Sequence, residues 1–507
     1  MTNKSTNYFA TGHLRNRLKE RAIKSAAITV SAQVAKLALQ LISIAILARL
    51  LSPSDFGLVA MVTVFSGLAL QLTEGGLSMA TIQRDAITHA QISNLFWVNA
   101  GLGLILCVIG ILASPLVSII YNEPQLTAIM AVTSISFLIG GVSVQHDALL
   151  RRQMHFKTLS LIDIFSMAAG IMCGIVAAVM GWGYWSLVLI PLITLLVKTL
   201  LRWWATRWLP SRPFRGSGVR PLLGFGANLT GANFIGYFAT NITPFVLGVV
   251  GGTQFLGLFN RANTLTSIPT KQMLPPVMNV VQPTLARVAG EPELLKKTIT
   301  SLLRKLAIFT MFVTLTMAVL ADWIVLLLLG PDWLDAVPIF RMLAAFSLVE
   351  PIAGFLAVSL IAAGNSRAIL QWKAITLGIL IVSIAIGSAW GAFGVVTAYT
   401  VSGVCLRLPG FLFFASRFLP VGFKELIVAI LPSIVCAVTT AVILYLLRQH
   451  VSFDEAVSGL FFFGAVALLA YFSMCMIFRK TREELTDTIG LVKLLISKKE
   501  VRSDKKS

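Results

Sequence analysis

Residues 164–197, IFSMAAGIMCGIVAAVMGWGYWSLVLIPLITLLV, run for 34 positions without an Asp, Glu, Lys or Arg. A helix needs about 20 apolar residues to cross the hydrocarbon core of a bilayer. The segment is too long for one span and is read as two. Gly181-Trp182-Gly183-Tyr184 supplies the turn, with glycines for the reversal and aromatics suited to the membrane interface. The same reading extends outward. Leu426–Leu447 and Ala456–Phe478 also lack these charges, and Pro221–Asn260 is 40 residues without one, broken near Gly251-Gly252. Fourteen candidate spans result: 24–48, 57–74, 93–118, 126–147, 158–180, 184–204, 222–249, 254–284, 303–329, 338–362, 369–389, 393–415, 424–447 and 456–478.

Composition agrees. Of 507 residues, 57% are hydrophobic and 12% charged, whereas a soluble chain is about 45–50% apolar and about 25% charged. This excludes a soluble enzyme, a disordered chain and a secreted disulfide scaffold. The five cysteines lie in apolar stretches with no CxxC pair, so they are read as small buried hydrophobes, with no metal or cofactor expected. The first 23 residues are polar and basic. The apolar run from Ala26 is long enough to span, so it is expected to be a retained first helix.

The net charge of +20 is an orientation signal. With the amino terminus inside, 34 of the 41 Lys and Arg fall in the two tails and the even-numbered loops. The opposite loops carry mostly acids, among them Asp55, Glu123, Asp322 and Asp454. This is the positive-inside pattern in one consistent phase, with anionic lipid head groups as a further attraction. It removes the nucleic-acid reading. No loop is long enough to be a domain; the longest, near 205–220 and 286–302, are both expected to be cytoplasmic.

A shift of 200 registers Gly57-Leu58 on Gly257-Leu258 and Leu47-Ala48 on Leu247-Gly248, although only four of 39 pairs between 33 and 71 are identical. Matching span lengths and loop phases strengthen the repeat. The expected fold is an all-α polytopic membrane protein with a MATE-like plan. Two six-helix lobes, 24–204 and 221–415, are related by a pseudo-twofold axis along the membrane normal, as in alternating-access transporters. A basic tail (1–23), a basic linker (205–220), two further helices (416–478) and a basic tail (479–507) complete it.

Ionisable residues inside spans are costly and usually face a wet cavity or a partner. On the first span Thr29, Gln33, Lys36, Gln40 and Ser43 step by four and three, which places them on one helical face. Asn260, Thr264, Ser267 and Lys271 step likewise on the eighth, beside Arg261. The seventh offers Asn233, Tyr237 and Asn241. Together these are read as a polar, net-positive cavity lining, with Arg407 as a further cation. Lys36 could instead snorkel or pair with an acid, and Arg407 could reach the cytoplasmic edge. Asp163 and Glu350 are either structural ion-pair partners or a proton or sodium site. His89, His146 and His155 are read as interfacial, and Trp203, Trp204 and Trp208 as an aromatic belt. Such a lining suits an anion rich in hydroxyls, since a pyrophosphate needs cations and sugars need hydrogen-bonding partners. No catalytic carboxylate pair, nucleotide loop or Walker sequence is present, so no enzyme is expected.

Ala48-Arg49-Leu50-Leu51-Ser52-Pro53-Ser54-Asp55-Phe56-Gly57-Leu58-Val59-Ala60 resembles the hallmark turn between the first two helices of Wzx-type polysaccharide flippases, the polysaccharide-transport branch of the MOP exporter superfamily. In order, Ala80–Arg84, Leu149–Lys157 and Gly183–Val188 match too. Gly257-Leu258-Phe259-Asn260-Arg261-Ala262 is similar to the family's Gly-x-Tyr-Asn-Arg-Ala stretch, with Phe259 in place of Tyr. The resemblance covers nearly the whole chain. It implies a bacterial inner-membrane protein that carries an undecaprenyl-pyrophosphate-linked oligosaccharide to the periplasmic leaflet. It also implies work beside a polymerase and a chain-length or export complex, serving exopolysaccharide, capsule or lipopolysaccharide. Family cavities are typically cationic, which Lys36, Arg261 and Lys271 fit. A cation-coupled MATE-type drug exporter is disfavoured because such sites lean on acids and aromatics. A peptidoglycan-precursor flippase stays open. A pathway polymerase or ligase would need a large periplasmic loop.

Overall fold

The computed structural model describes residues 18–74, 77–84, 87–213, 220–451, 456–479 and 481–487. Among these, side chains are excepted at 18–27, 74, 77, 80, 83, 220–235, 271–277 and 279–280. Everything regular in it is helical. The helices are α1 (Leu18–Leu50), α2 (Pro53–Glu74), α3 (Leu77–Gln83), α4 (His89–Tyr121), α5 (Gln125–Arg152), α6 (Phe156–Val179), α7 (Tyr184–Thr206) and α8 (Arg220–Val288). They continue with α9 (Pro292–Val319), α10 (Ala321–Leu328), α11 (Ala336–Phe346), α12 (Val349–Ala362), α13 (Ser366–Ser388), α14 (Gly391–Val401), α15 (Leu408–Ala415), α16 (Phe423–His450) and α17 (Ala456–Ile477).

Among the described residues, thirteen helical segments are long and apolar enough to cross a membrane. The fourteenth expected span is hidden in one of them. Residues Gly236–Thr270 count as a single 35-residue segment, but α8 is two helices joined across a kink at Gly252 (φ 67, ψ −171). Only glycine adopts that conformation without strain, so the Gly251-Gly252 break read from the sequence is real. The turn at Gly181 and Gly183, with φ of 78 and 54, also lies where the 34-residue apolar run required it. Segment 286–302, expected as a loop, is helical from Pro292 onward. Pro292 starts the helix with φ already set, and the amphipathic turns through Lys296 and Lys297 carry it beyond the apolar span.

The Ser52-Pro53-Ser54-Asp55 turn is closed by its own side chains. Asp55 Oδ2 accepts from the Ser52 amide at 3.0 Å and the Ser52 hydroxyl at 2.7 Å, while the Asp55 amide donates to Ser52 Oγ at 3.3 Å. This reciprocal cap satisfies the otherwise orphaned donors that begin α2, and Pro53 again opens the helix.

The chain forms two compact units. The first holds the described residues up to Asn260 together with Leu328–Asp332; the second holds the remainder. In the first, α2 packs directly on α8. A Cβ on Gly57 would strike the backbone of Thr253, and one on Gly257 would strike the backbone of Pro53. Positions 53 and 57 meet 257 and 253, so residues equivalent under the 200-residue shift contact each other reciprocally. That is the signature of a local twofold arrangement. It gives physical content to a repeat that is nearly invisible in sequence identity.

The second unit has its own core, with Leu285, Ile299, Leu303, Phe355, Leu356 and Leu426 all buried. Tyr471 of α17 donates to the Ile308 carbonyl at 2.9 Å. Beyond α17, Glu484 accepts from Ser301 at 2.7 Å and pairs with Arg304 at 3.3 Å and Lys305 at 3.4 Å. These bonds tie the segment after α17 to the first half of α9.

Candidate functional site

The polar face of α1 meets an acid on α6. Lys36 Nζ lies 3.5 Å from Asp163 Oδ2, and Lys198 Nζ of α7 lies 2.9 Å from Asp163 Oδ1. The three side chains are each about one quarter to one third exposed, so they are neither in open solvent nor fully buried. Three helices place them: α1 through its four-three polar periodicity, α6 through Asp163 two turns into the helix, and α7 through Lys198 near its end. Of the two readings for Lys36, pairing with an acid is the one this geometry presents. Asp163 shares its single charge between two ammonium groups, leaving the cluster with one net positive charge.

A second acid sits nearby on α5. Asp147 pairs with Arg151 on its own helix and with Arg202 of α7, both at 2.6 Å. Arg202 also donates to Ser143 Oγ at 3.2 Å. Arg152, buried at the end of α5, donates to the carbonyls of Thr81, at 2.9 Å, and Arg84, so it ties down the segment after α3. In this part of the first unit four cations, Lys36, Lys198, Arg151 and Arg202, pair with two acids, and Arg152 adds a fifth held by carbonyls. Buried charges persist only when paired and hydrogen-bonded, which these are, and the surplus is positive.

Lys198 and Arg202 lie on α7, one turn apart, and neither stands out in the sequence as a site residue. The spacing of 143, 147 and 151 on α5 and of 198 and 202 on α7 is the available signal, since residues four apart share a helical face. The histidine reading also changes. His146 is fully buried, stacks on Trp203 at 4.4 Å and lies 2.7 Å from the Thr206 hydroxyl. Trp208 is buried against the same ring, while Trp204 is exposed. Only Trp204 has the exposure of an aromatic belt; the other two pack a core.

Tyr237 and Asn241 come together, but on each other and on α2. The Tyr237 hydroxyl donates to the carbonyls of Thr63 at 3.1 Å and Val64 at 2.8 Å, seated against Gly67, and Asn241 Nδ2 donates to the Tyr237 carbonyl at 2.9 Å. Gln33, Gln40 and Asn260 are partly exposed in the same unit. The side chains of Asn233 and Lys271 lie outside the described residues. In the second unit Arg261 is partly exposed and Glu350 is exposed on the first turn of α12. Arg407 is buried. It ends a π-helical turn, Ser402–Arg407, between α14 and α15. Its Nη2 donates to the Tyr399 carbonyl at 2.6 Å, and its guanidinium lies 5.0 Å from the Phe346 ring and 4.8 Å from the Tyr399 ring.

Solved structures share this all-helical fold. The lipid II flippase MurJ in an inward closed conformation superposes with a TM-score of 0.72 at 14% identity, covering 90% of this chain and 98% of that one. An inward-facing multidrug resistance MATE family transporter of the MOP superfamily gives 0.60 at 16% identity, covering 78% and 95%.

The chain belongs to the polysaccharide biosynthesis protein family, whose model matches residues 46–338. Among curated relatives, the lipopolysaccharide biosynthesis protein WzxC of Escherichia coli (strain K12) is 28% identical over 389 residues, 75% of this chain and 78% of that protein. The teichuronic acid biosynthesis protein TuaB of Bacillus subtilis (strain 168) is 27% identical over 61% of this chain and 64% of that protein. The succinoglycan biosynthesis transport protein ExoT of Rhizobium meliloti (strain 1021) is 26% identical, over 63% and 65%. The chain thus spans a little under two thirds of the last two relatives. The expected resemblance to proteins of polysaccharide biosynthesis and transport is matched by this family and these relatives.

Proposed function

We propose that the protein is a flippase for an undecaprenyl-pyrophosphate-linked oligosaccharide, moving it from the cytoplasmic to the periplasmic leaflet of the bacterial inner membrane. Both termini are cytoplasmic in this reading. Transport runs by alternating access of the lobes 24–204 and 221–415 through a cationic central cavity, and supplies exopolysaccharide, capsule or lipopolysaccharide synthesis beside a polymerase and chain-length or export proteins. The protein is a carrier and not an enzyme. The observation that carries the reading is the family match over 46–338 in a chain whose first unit holds more cations than acids within its helices. A pyrophosphate crossing the bilayer needs compensating positive charge, and lysines held by Asp163 at half strength can turn to an incoming anion. Lys36, Arg261, Lys271 and Arg407 are the proposed cationic contacts, Gln33, Gln40, Asn233, Tyr237, Asn241 and Asn260 the polar ones, and Asp163 and Glu350 the candidates for coupling to an ion.

The test is deletion followed by a leaflet-resolved assay of the lipid-linked repeat. Accumulation facing the cytosol supports the flippase; accumulation of unpolymerised repeats outside overturns it in favour of a polymerase. Lys36→Ala, Arg261→Ala and Lys271→Ala should each lower polysaccharide yield at unchanged membrane insertion. Wild-type yield from all three would remove the cationic lining.

A further inference from the structure

We propose that the second unit carries a binding site for one bilayer phospholipid with an anionic headgroup, its acyl chain lying in a groove between α9, α15 and α16. The groove has a volume of about 410 Å³ and a wall of Leu315, Leu408, Leu412, Ile430, Ile434 and Val438. It follows α16 from Ile427 to Ala441, fourteen helical rises, or about 21 Å of helix. Those are the dimensions of one extended fatty acyl chain.

At Ala318, Val319 and Ala441 the groove runs into a second cavity of about 620 Å³ that shares these three residues. Its character is different, for it is lined by Asp322, Arg341, Tyr445, Arg448 and Gln449. An apolar trench ending in a charged pocket has the polarity profile of a lipid.

The charges select the headgroup. Arg448 is fully engaged: it grips Asp322 through both Nη1, at 3.0 Å, and Nη2, donates to the Val319 carbonyl at 3.0 Å and lies 4.0 Å from the Trp323 ring. Arg341 is not so held. Its Nη2 is 3.9 Å from an Asp322 already neutralised by Arg448, and its side chain is 52% exposed. The pocket is therefore left with one positive charge on a guanidinium free to take a phosphodiester bidentately. Tyr445, 65% exposed, and Gln449 line the same pocket and add donors for ester and glycerol oxygens. An extended undecaprenyl chain is more than twice as long as this groove, which is why a membrane phospholipid is the occupant assigned.

The full chain in nanodiscs of mixed phosphatidylglycerol and phosphatidylcholine, released and weighed by native mass spectrometry, tests this. The wild type should retain one phosphatidylglycerol in preference to phosphatidylcholine. Arg341→Gln should cut that preference about fivefold, the factor expected for one basic residue at an anionic lipid surface, and Arg341→Lys should keep most of it. Ala441→Trp, which fills the junction, should lose the retained lipid whatever its headgroup. Should that variant misfold, as judged by thermal melting, Arg341→Gln alone decides. Equal retention of both lipids by the wild type, an unchanged preference in Arg341→Gln, or a polyprenyl phosphate as the retained species would each overturn the site. Lipid retention involves no transport step, so it fails or succeeds apart from the flippase assay.

Discussion

Replacing Gly57 or Gly257 with alanine should destabilise the first unit, because at both positions the new methyl meets backbone. On Gly57 a Cβ would sit 2.8 Å from the Thr253 Cα; on Gly257 it would sit 2.8 Å from the Pro53 carbonyl carbon and 3.1 Å from the Gly57 amide nitrogen. Carbon atoms in contact lie about 3.5–4.0 Å apart, and the carbonyl oxygens of Thr253 and Pro53 would lie closer still to the new methyls, so α2 and α8 must separate by more than about 1 Å, and neither backbone can rotate away as a side chain could. Overpacking of this kind costs about 1–3 kcal/mol. Alanine's better helix propensity returns about 0.5–1 kcal/mol, so a net loss remains. Gly378 is the control, since a Cβ there meets nothing within 4 Å. Gly378→Ala should be neutral or stabilising. Because both contacts lie between the same two helices, one separation relieves both clashes, and Gly57→Ala with Gly257→Ala should cost less than the two singles added. Thermal melting of the purified protein in detergent reads all four variants. Gly57→Ala melting with Gly378→Ala would refute the close approach, and strict additivity would refute the shared displacement.

Asp163→Asn should lower the melting temperature more than Lys36→Ala. The former leaves two lysines without their acid, costing about 1–2 kcal/mol, while the latter keeps the 2.9 Å Lys198–Asp163 pair and removes a partly exposed contact worth about 0–1 kcal/mol. Equal melting temperatures would count against a shared carboxylate. Arg407→Lys should cost about 1–2 kcal/mol despite the retained charge, since an ammonium cannot spread over the adjoining Phe346 and Tyr399 rings, whose centroids lie 4.6 Å apart, while reaching the Tyr399 carbonyl. An unshifted melting curve would show that the guanidinium plane contributes nothing.

Much of the fold was legible because the bilayer imposes a coarse and local rule. Apolar length alone locates the spans, and the glycines at 181, 183 and 252 punctuate them where positive φ is needed. Less of the charge network was legible. Lys198 and Arg202 look like loop cations because they lie among other basic residues, and Asp147 draws no notice beside them. Their pairing across α5 and α7 depends on which helices are neighbours. His146 shows the same limit: its position near a span end suggests an interface, but the packing of Trp203 and Trp208 buries it.

The chain's own order of residues determined that this is a many-span helical protein, where its helices turn, and which family it belongs to, since hydropathy and ordered motifs are properties of contiguous sequence. Tertiary structure decided what those residues do to one another. It set Lys36 and Lys198 on one carboxylate, placed Arg407 over two adjoining rings, and brought positions 53 and 57 onto 257 and 253. The farthest of these join groups well separated in the chain, Lys36 and Asp163 by 127 positions and Pro53 and Gly257 by 204, and only the packing of helices can arrange them.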